Sequence, residues 1–468
     1  MLKMKGNSLS RRKLARHACA VLFLTCAAAP LRAIAEEPSQ AQVQAALDRA
    51  LTAMDAARQA GGWATAWTPD KTVVWGEWRP IPQDWITVQP PATPTMAGLY
   101  LRAGKLVDKR WLKVAEEARD ALLAIQTEAG GFSHEAGPHA EKRPPRGTFD
   151  DDTTTAAMDF FIDWWRHTKK KKDLAKVHGV GDFIIASQYE SGGWPQFYPP
   201  SEGAYHAHIT FNDGVMAKAI RALLRLHRET GKERYLDAAK RGGECIIRLQ
   251  GGPGEGIWAQ QYDAKTLKPA WARKFEPPGY TPAESRDVCN VLIELAIAAD
   301  EERFLAPLPE AFAWYETHRL PNGKYARLYE PGSQRPAYGR RDKAEPVYDF
   351  ENACTGYGWQ GLWFPKEAKA AYRKLRGMGF DAYRKQHLHP KPRQVSAPSE
   401  AALRRILDAQ QADGLWRQTP GGRQITDLAE KSLPEGTPLV GCRSFRANIT
   451  LLLDYVEALD KKEEQKRD

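Results

Sequence analysis

The feature of this 468-residue sequence that most constrains its fold is a recurring turn motif, in which one or two glycines precede an aromatic residue. The clear copies are Gly61-Gly62-Trp63, Gly130-Gly131-Phe132, Gly192-Gly193-Trp194 and Gly256-Ile257-Trp258. Weaker copies follow at 322–325 and 414–416, and successive aromatic residues of the motif are 69, 62, 64, 67 and 91 positions apart. A repeat of this length indicates a fold that is assembled from similar structural units.

The segments between the turns have a helical period. One apolar stripe of a helix is formed by Val215, Ala219, Ile220, Leu223 and Leu224. A break at 229–232, "ETGK", separates this stripe from a second one that starts at Tyr235. The pattern therefore predicts that each unit consists of two helices and a glycine-aromatic turn. Since helix pairs bury their stripes against neighbouring pairs, we predict an all-α fold, an α/α toroid, which is an incomplete barrel of repeated helix pairs with short strands or irregular turns. A straight solenoid is the alternative, because the sequence does not show whether the ring closes.

Residues 1–35 have the organisation of a secretory signal peptide. They contain seven Lys/Arg and no acidic residue, then the apolar run "ACAVLFLTCAAAP", then small residues before Glu36. We therefore divide the chain into a signal peptide, 1–35, and a single α/α-toroid domain, 36–468, in which the C-terminal part 390–468 is less regular. The expected location of the mature protein is secreted or periplasmic.

The charge balance gives little support for a nucleic-acid partner. The whole chain has 68 Lys/Arg and 58 Asp/Glu, and removal of the seven basic residues in 1–35 leaves 61 against 58. No later segment reaches the roughly 18 apolar residues that span a membrane. We expect a monomer without nucleic-acid contacts or a membrane span. The cysteines of the mature part are either buried free thiols or disulfide partners, and they are Cys245, Cys289, Cys354 and Cys442.

Two acidic motifs have the same order of residue types, 62 positions apart. Thr148-Phe149-Asp150-Asp151-Asp152 precedes one predicted helix, and Thr210-Phe211-Asn212-Asp213 precedes another. The second and third turn motifs have the same separation, so that stacked units would bring these acids together at one rim. Helix capping is the simpler interpretation, but one acid is enough for a cap. A group of acids fits a hard cation such as Ca²⁺. Zinc is less suitable, because His206 and His208 lack a thiolate partner and are equally well explained as packing or orienting residues.

Arginines supply a second set of candidate binding groups. Arg273 stands between Trp271 and Phe275, and Arg340 and Arg341 stand among aromatic residues. Guanidinium groups bind carboxylates through two hydrogen bonds, and aromatic faces stack on sugar rings. The alternative for each arginine is an ordinary surface ion pair. Acids for a metal, arginines for an anion and fifteen tryptophans together indicate an acidic polysaccharide as the ligand.

Five segments carry a resemblance to a known family. In chain order they are "GGWPQFYP", "YHAHITFNDGVM", "LKPAWARKFEPP", "RLYEPGSQRPAYGRRD" and "TGYGWQG". Over about 45–365 the sequence resembles the pectate lyases of polysaccharide lyase family ten. The resemblance implies a helical toroid and calcium-assisted β-elimination of polygalacturonate.

The resemblance also implies roles for individual residues. Asp150, Asp151, Asp152 and Asp213 would hold Ca²⁺, and Arg273 would be the general base. A carboxylate of the substrate would be bound by Arg341, and the remaining substrate-binding candidates are Arg340, His208, Trp271 and Tyr357.

One segment departs from the family pattern. Family members have an arginine just before the TGY motif, whereas residues 351–354 here read Glu-Asn-Ala-Cys before Thr355. Either Arg340 or Arg286 is a candidate to compensate.

Two other functions remain open at this level. The first is an α/α-toroid glycoside hydrolase, which needs two carboxylates and no metal and would draw on Glu276, Glu284 and Asp213. The second is a non-catalytic uronan-binding relative, which the absent arginine makes credible.

Overall fold

Helices form the framework of the protein. The structure is a computed structural model that describes residues 38–77, 79–137, 144–389, 393–418 and 437–467. The helices are α1 Gln40–Ala56, α2 Thr93–Leu106, α3 Trp111–Ile125, α4 Thr153–Thr168, α5 Lys171–Ala186, α6 Val215–Thr230, α7 Glu233–Leu249, α8 Pro282–Ala299, α9 Leu308–Thr317, α10 Lys366–Met378, α11 Phe380–His387, α12 Glu400–Ala409 and α13 Cys442–Arg467. The predicted signal peptide, 1–35, lies outside the described residues.

The helices are arranged in two rows, as the repeat predicts. In one row, α13, α2, α4, α6, α8 and α10 contact each other in that order, and residues of α4, α6 and α8 line a central cavity. The other row includes α1, α3, α5 and α7, and each of α3, α5 and α7 packs on the helix that precedes it in the chain. The predicted break at 229–232 separates α6 from α7. This arrangement is an α/α toroid, and the predicted fold class is confirmed.

The first and last repeat units of the described residues meet, which distinguishes a ring from a straight solenoid. Gly414, in the last turn motif, packs so closely on α1 that a Cβ there would lie 2.7 Å from the Arg49 carbonyl oxygen. In addition, residues 440–441 pair with 66–67 in an antiparallel ladder. The last unit of the described chain therefore packs directly on the first.

The glycine-aromatic turns end the helices of the second row in a common way. The indole N–H of the turn tryptophan donates to a carbonyl oxygen near the end of the preceding helix, at 2.8 Å for Trp194 to Ile184 and 2.7 Å for Trp258 to Ile246. Such a bond supplies a donor to a carbonyl in the last turn of the helix, where intrahelical donors run out. Gly192 has a φ of +89°, and a Cβ there would lie 2.2 Å from the Arg241 carbonyl oxygen, so that only glycine fits.

Short strands connect neighbouring units at the end of the toroid that carries these turns. They are β1 Ala66–Trp67, β2 Val74–Trp75, β3 Ile86–Thr87, β4 Glu135–Ala136, β5 Gly147–Thr148, β6 Phe197–Tyr198, β7 Ile209–Thr210, β8 Gln261–Tyr262, β9 Tyr325–Ala326, β10 Leu328–Tyr329, β11 Pro336–Gly339, β12 Pro346–Val347, β13 Gln360–Gly361 and β14 Val440–Gly441. The ladders are antiparallel: β14-β1-β2, β3-β4, β5-β6, β7-β8, β9-β13 and β10-β11-β12.

Two predictions about the rest of the chain can be compared with the structure. The four cysteines are all free, and Cys354 is the only one of the four that is not fully buried. Within the described ranges, no helix combines the length and the apolar character that crossing a membrane requires.

Candidate active site

The two acidic motifs occupy matching places in successive units. The strands β5 and β7 end at Thr148 and Thr210, whose N–H groups donate to the carbonyl oxygens of the preceding turn aromatics at 2.8 and 3.0 Å. A short 3₁₀ turn follows each strand and leads into α4 or α6. Within these turns Asp151 and Asp213 have the same left-handed backbone, with φ of 45° and 53°. The repeat therefore places both carboxylates at the same rim.

Asp150, Asp151 and Asp213 form an acidic cluster, with one carboxylate oxygen of each within 4.8 Å of the other two. Burial raises the pKa of Asp213 to about 8, and the charges of Asp150 and Asp151 add to that effect. Gln89, which follows the matching strand β3, donates from Nε2 to Asp151 Oδ2 at 3.1 Å. Like charges held this close favour either a shared proton or a bound cation.

The donor set of the acidic cluster fits a hard cation. All of its ligand atoms are carboxylate oxygens, which are the donors that Ca²⁺ prefers. Among the described residues, the buried Asp150 Oδ1 has no hydrogen-bond partner, and the same is true of the neighbouring Gln89 Oε1. Buried oxygens without partners are costly unless an ion or a water satisfies them. These residues are therefore suited to hold Ca²⁺.

Asp152 lies outside this cluster, although the sequence groups it with the other two acids. Its Oδ1 is 3.0 Å from Lys218 Nζ, and its side chain lines the central cavity, which has a volume of about 880 Å³. The reason is local: Asp152 has a φ of 64°, and this left-handed residue is where the 3₁₀ turn changes into α4. Two of the three adjacent acids thus enter the cluster, and the third forms an ion pair.

Arg273 forms a two-point ion pair with Glu276. Both bonds are 2.6 Å long, from Nε to Oε2 and from Nη2 to Oε1, and the Glu276 side chain is only 1% exposed. Glu276 also accepts hydrogen bonds from Tyr357 Oη at 2.5 Å and from Gln260 Nε2 at 3.0 Å. Burial acts to lower the pKa of Arg273, but the hydrogen bonds and charge of Glu276 outweigh it and hold that pKa above its ordinary value.

The other predicted substrate-binding residues surround this pair at different distances. Trp271 Nε1 donates to the Arg273 carbonyl oxygen at 3.1 Å. His208 lies near Trp271, and burial lowers the pKa of His208, while Asp263 and the Trp271 backbone act to raise it. Arg341 lies over the Phe275 ring, 4.6 Å from its centre. No carboxylate of the described residues is paired with Arg341, so that its guanidinium is available to a ligand.

Arg340 is not brought to this place. It is paired with Asp342 through bonds of 3.0 and 2.6 Å at an exposed position. Of the two adjacent arginines, Arg340 is therefore already paired, whereas Arg341 has no carboxylate partner among the described residues.

Arg327 is a site residue that the sequence analysis missed. Its Nη2 is 2.8 Å from Glu284 Oε1 and 3.4 Å from Asn212 Oδ1, and its guanidinium lies 4.9 Å from the centre of the Tyr357 ring. Arg327 Nε is buried and has no hydrogen-bond partner among the described residues. Through its contact with Asn212, Arg327 reaches the residue next to Asp213 of the acidic cluster. Its segment "YARLYE" directly follows a weak turn motif, which is the signal that points to the rim.

These contacts join the acids and the arginines into one set of neighbouring side chains at the rim, here named the groove. Arg327 connects Asn212, next to Asp213, to the Tyr357 ring, and Arg273 lies 5.6 Å from the centre of the same ring. The charge of Asp213 acts to raise the pKa of Arg273. Burial raises the pKa of Tyr205, while the charge of Arg273 acts to lower it and that of Asp213 to raise it, so both charges lie near this tyrosine. The groove thus presents a cation site and guanidinium groups side by side.

The fold and these side chains define the class, an α/α-toroid protein with clustered carboxylates beside guanidinium groups at its turn-bearing end. Residues 119–335 match the model of a family described as pectic acid lyase. The matched range includes the acidic cluster, Arg273 and Arg327, whereas Arg341 and Tyr357 lie beyond it. The match agrees with the resemblance to polysaccharide lyase family ten and supports a lyase that acts on polysaccharides.

Solved structures with similar folds are distant in sequence. A family 10 polysaccharide lyase from Cellvibrio cellulosa, in complex with trigalacturonic acid, is 21% identical, with 60% of this chain and 97% of that chain covered and a TM-score of 0.48. A GH76 α-mannanase from Bacteroides thetaiotaomicron is 12% identical, with 91% and 97% covered and a TM-score of 0.45. No curated protein matched the sequence. We therefore base the functional proposal on the family match and on the side chains of the groove.

Proposed function

We propose that this protein is a pectate lyase that cleaves polygalacturonate by calcium-assisted β-elimination. The observation that carries the proposal is the single groove in which Asp150, Asp151 and Asp213 stand beside Arg273 and Arg327. The family match over 119–335 supports the same reaction class. The substrate is anionic, and the groove offers both a cation site and a free guanidinium to receive it.

The reaction requires removal of the C5 proton of a uronate, which is difficult because negative charge develops on the adjacent carboxylate. The C–H electron pair forms a C4–C5 double bond, the bond from C4 to the glycosidic oxygen breaks, and that oxygen takes a proton from water. In this proposal Arg341 donates hydrogen bonds to the carboxylate, which its position over the Phe275 ring supports. A bound Ca²⁺, held by Asp150, Asp151 and Asp213, would supply further positive charge there.

Arg273 is the proposed base, although its ion pair with Glu276 favours the protonated form, which cannot accept a proton. An arginine is ordinarily protonated, and Glu276 favours the protonated form further. Only the small deprotonated fraction can accept the C5 proton, so that activity is expected to rise with pH. The bond to Glu276 also fixes the direction of the guanidinium, which would keep it aligned with the proton.

The ion pairs make the glycoside hydrolase alternative less suitable. A hydrolase needs a protonated carboxyl group as general acid, with a raised pKa. Burial would raise the pKa of Glu276, but the bonds from Arg273 and Tyr357 reverse this and hold it below its ordinary value. Glu284 is paired with Arg327 at 2.8 Å. Neither glutamate is arranged as a proton donor. Asp213, whose pKa is raised to about 8, is the remaining candidate for a general acid, and in the lyase proposal this carboxylate binds the cation instead.

One assay distinguishes the three functions: incubation of the protein with polygalacturonate, with and without a calcium chelator. A lyase gives an unsaturated uronide that absorbs in the ultraviolet, and the chelator abolishes it. New reducing ends without absorbance would indicate a hydrolase, and binding without either product would indicate the non-catalytic relative.

We also propose that the mature protein is exported and monomeric. The support is the signal-like pattern of 1–35, together with a substrate that lies outside the cell. N-terminal sequencing of the protein recovered from each cell fraction tests export, and sedimentation tests the oligomeric state. An intact N-terminus in the cytosolic fraction would contradict export.

A further inference from the structure

A second group of metal-ligating side chains adjoins the acidic cluster and contains a histidine. Glu77, His134 and Asp150 each place one ligand atom within 4.8 Å of the other two. His134 Nε2 is 3.4 Å from Glu77 Oε2 and 3.7 Å from Asp150 Oδ2. Two of these residues, Glu77 and His134, belong to neither acidic motif.

Each residue of this group leaves one buried polar atom unsatisfied, although the Glu77 carboxyl group also faces Asp151. Glu77 Oε1, His134 Nε2 and Asp150 Oδ1 are buried and have no hydrogen-bond partner in the part of the chain that the structure describes. The Glu77 side chain is only 4% exposed. A buried carboxylate without a partner is strongly unfavourable. Glu77 and Asp150 each turn their other carboxylate oxygen towards His134 Nε2. Three neighbouring residues that each leave a buried polar atom without a partner therefore indicate a ligand.

The surroundings hold the group in place. The Glu77 N–H donates to Glu135 Oε2 at 3.1 Å, and the His134 carbonyl oxygen accepts from the Val88 N–H at 2.7 Å. The His134 ring is packed edge-on against Phe197, with centres 5.8 Å apart. Ligands that are oriented by their neighbours in this way are typical of built metal sites.

We propose that Glu77, His134 and Asp150 form a second metal site, for a first-row divalent transition metal such as Zn²⁺, which shares Asp150 with the acidic cluster. The nitrogen ligand decides the class of metal, because imidazole is a good ligand for Zn²⁺ and its neighbours in the periodic table, whereas Ca²⁺ takes oxygen ligands. Ligands bound tetrahedrally at zinc distances lie about 3.3 to 3.6 Å apart, close to the two separations in this group. Three protein ligands leave a fourth position open.

Calorimetric titration of the protein with Zn²⁺, in buffer with excess Ca²⁺, tests this site. We expect one Zn²⁺ to bind to the wild type, and His134→Gln and Glu77→Gln each to weaken binding at least about tenfold. Titration with Co²⁺ should give visible absorption bands of a nitrogen-containing site in the wild type, and these bands should be lost in His134→Gln. Using two different variants keeps the test decisive if one of them fails to fold.

The matched control is His206→Gln. His206 also packs edge-on against the Phe197 ring, with ring centres 5.2 Å apart. It does not belong to the group of Glu77, His134 and Asp150. This variant should bind Zn²⁺ like the wild type, and so should Asp213→Asn within about threefold, since Asp213 belongs only to the acidic cluster. The proposal is overturned if the wild type does not bind Zn²⁺, if His134→Gln binds it equally well, or if Asp213→Asn loses it as completely as His134→Gln. None of these readouts depends on lyase activity.

Discussion

Arg273 and Glu276 are joined by two hydrogen bonds of 2.6 Å, and the glutamate is almost completely buried while the arginine is 39% exposed. The pair is therefore open to the groove on the arginine side only. A substrate that approaches Arg273 meets a guanidinium whose orientation is already fixed. The same pair ties the protonation of Arg273 to the charge of Glu276.

The pH dependence of stability should reveal this buried carboxylate. The folded-state pKa of Glu276 lies below its ordinary value of 4.5, so its stabilising effect is fully present above that value and is lost as the pH falls through the folded-state pKa. Glu276→Gln should lower the free energy of unfolding by about 2 kcal/mol or more at neutral pH, and the difference from wild type should narrow below pH 4.5. Denaturant unfolding at several pH values measures this. Glu202→Gln, at a side chain that is 95% exposed, is the control and should behave as wild type at every pH.

Replacement of the proposed base should change the rate and its pH profile together. Arg273→Lys retains a positive charge but loses the two-point bond to Glu276, and it places a group of lower pKa near the substrate. We expect kcat to fall at least about 100-fold, as for loss of a positioned general base, with an optimum at lower pH. The profile of kcat/KM against pH measures both effects.

A control variant checks that the loss is specific. Arg303→Lys changes an arginine that is paired with Glu244 and Glu301 away from the groove, and it should leave the profile unchanged. Unchanged activity in Arg273→Lys would remove Arg273 from the role of base.

The calcium requirement should distinguish Asp213 from Asp152. Asp213→Asn removes one ligand charge from the acidic cluster, and the Ca²⁺ concentration for half-maximal activity should rise about tenfold or more. Asp152→Asn should change it less than about twofold, because Asp152 pairs with Lys218 instead. Activity measured against free Ca²⁺ gives both values. Equal effects of the two substitutions would mean that all three adjacent acids act as ligands.

The positions of Asp150, Asp151 and Asp213 could be predicted from the sequence because the repeat determines them. The offset between the two acidic motifs equals the offset between turns, and a repeated strand and 3₁₀ turn then place both motifs at one rim. The fold class follows from the same periodicity. Interactions that recur in each unit are therefore visible in a single sequence.

The contacts of Glu77, His134 and Arg327 could not be predicted in this way. His134 and Arg327 each stand two positions after a turn aromatic, as Gln196 and Gln260 do, but the side chains at this position differ in type from unit to unit. Glu77 lies in a loop after β2, and its approach to His134 depends on the pairing of β3 with β4. The direction of Asp152 depends on a left-handed backbone that spacing alone does not indicate. Such contacts arise from loop geometry and tertiary packing.

Arg327 is expected to act through its neighbours rather than on the substrate. It pairs with Glu284, whose side chain is 6% exposed, and it supports the Tyr357 ring beneath Arg273. Arg327→Met would leave Glu284 buried and unpaired, which should cost about 3 kcal/mol or more of stability. Adding Glu284→Gln removes that charge, so the double variant should regain most of the stability.

Activity need not recover with stability, and this separates the two roles of Arg327. If its positive charge offsets the acids and aligns Tyr357 with Arg273, the double variant should fold well but keep a reduced kcat, with KM changed less. Thermal unfolding and steady-state kinetics on the wild type, both single variants and the double variant give this comparison. Full recovery of kcat in the double variant would show that Arg327 only neutralises Glu284, because a merely structural role would be restored along with stability.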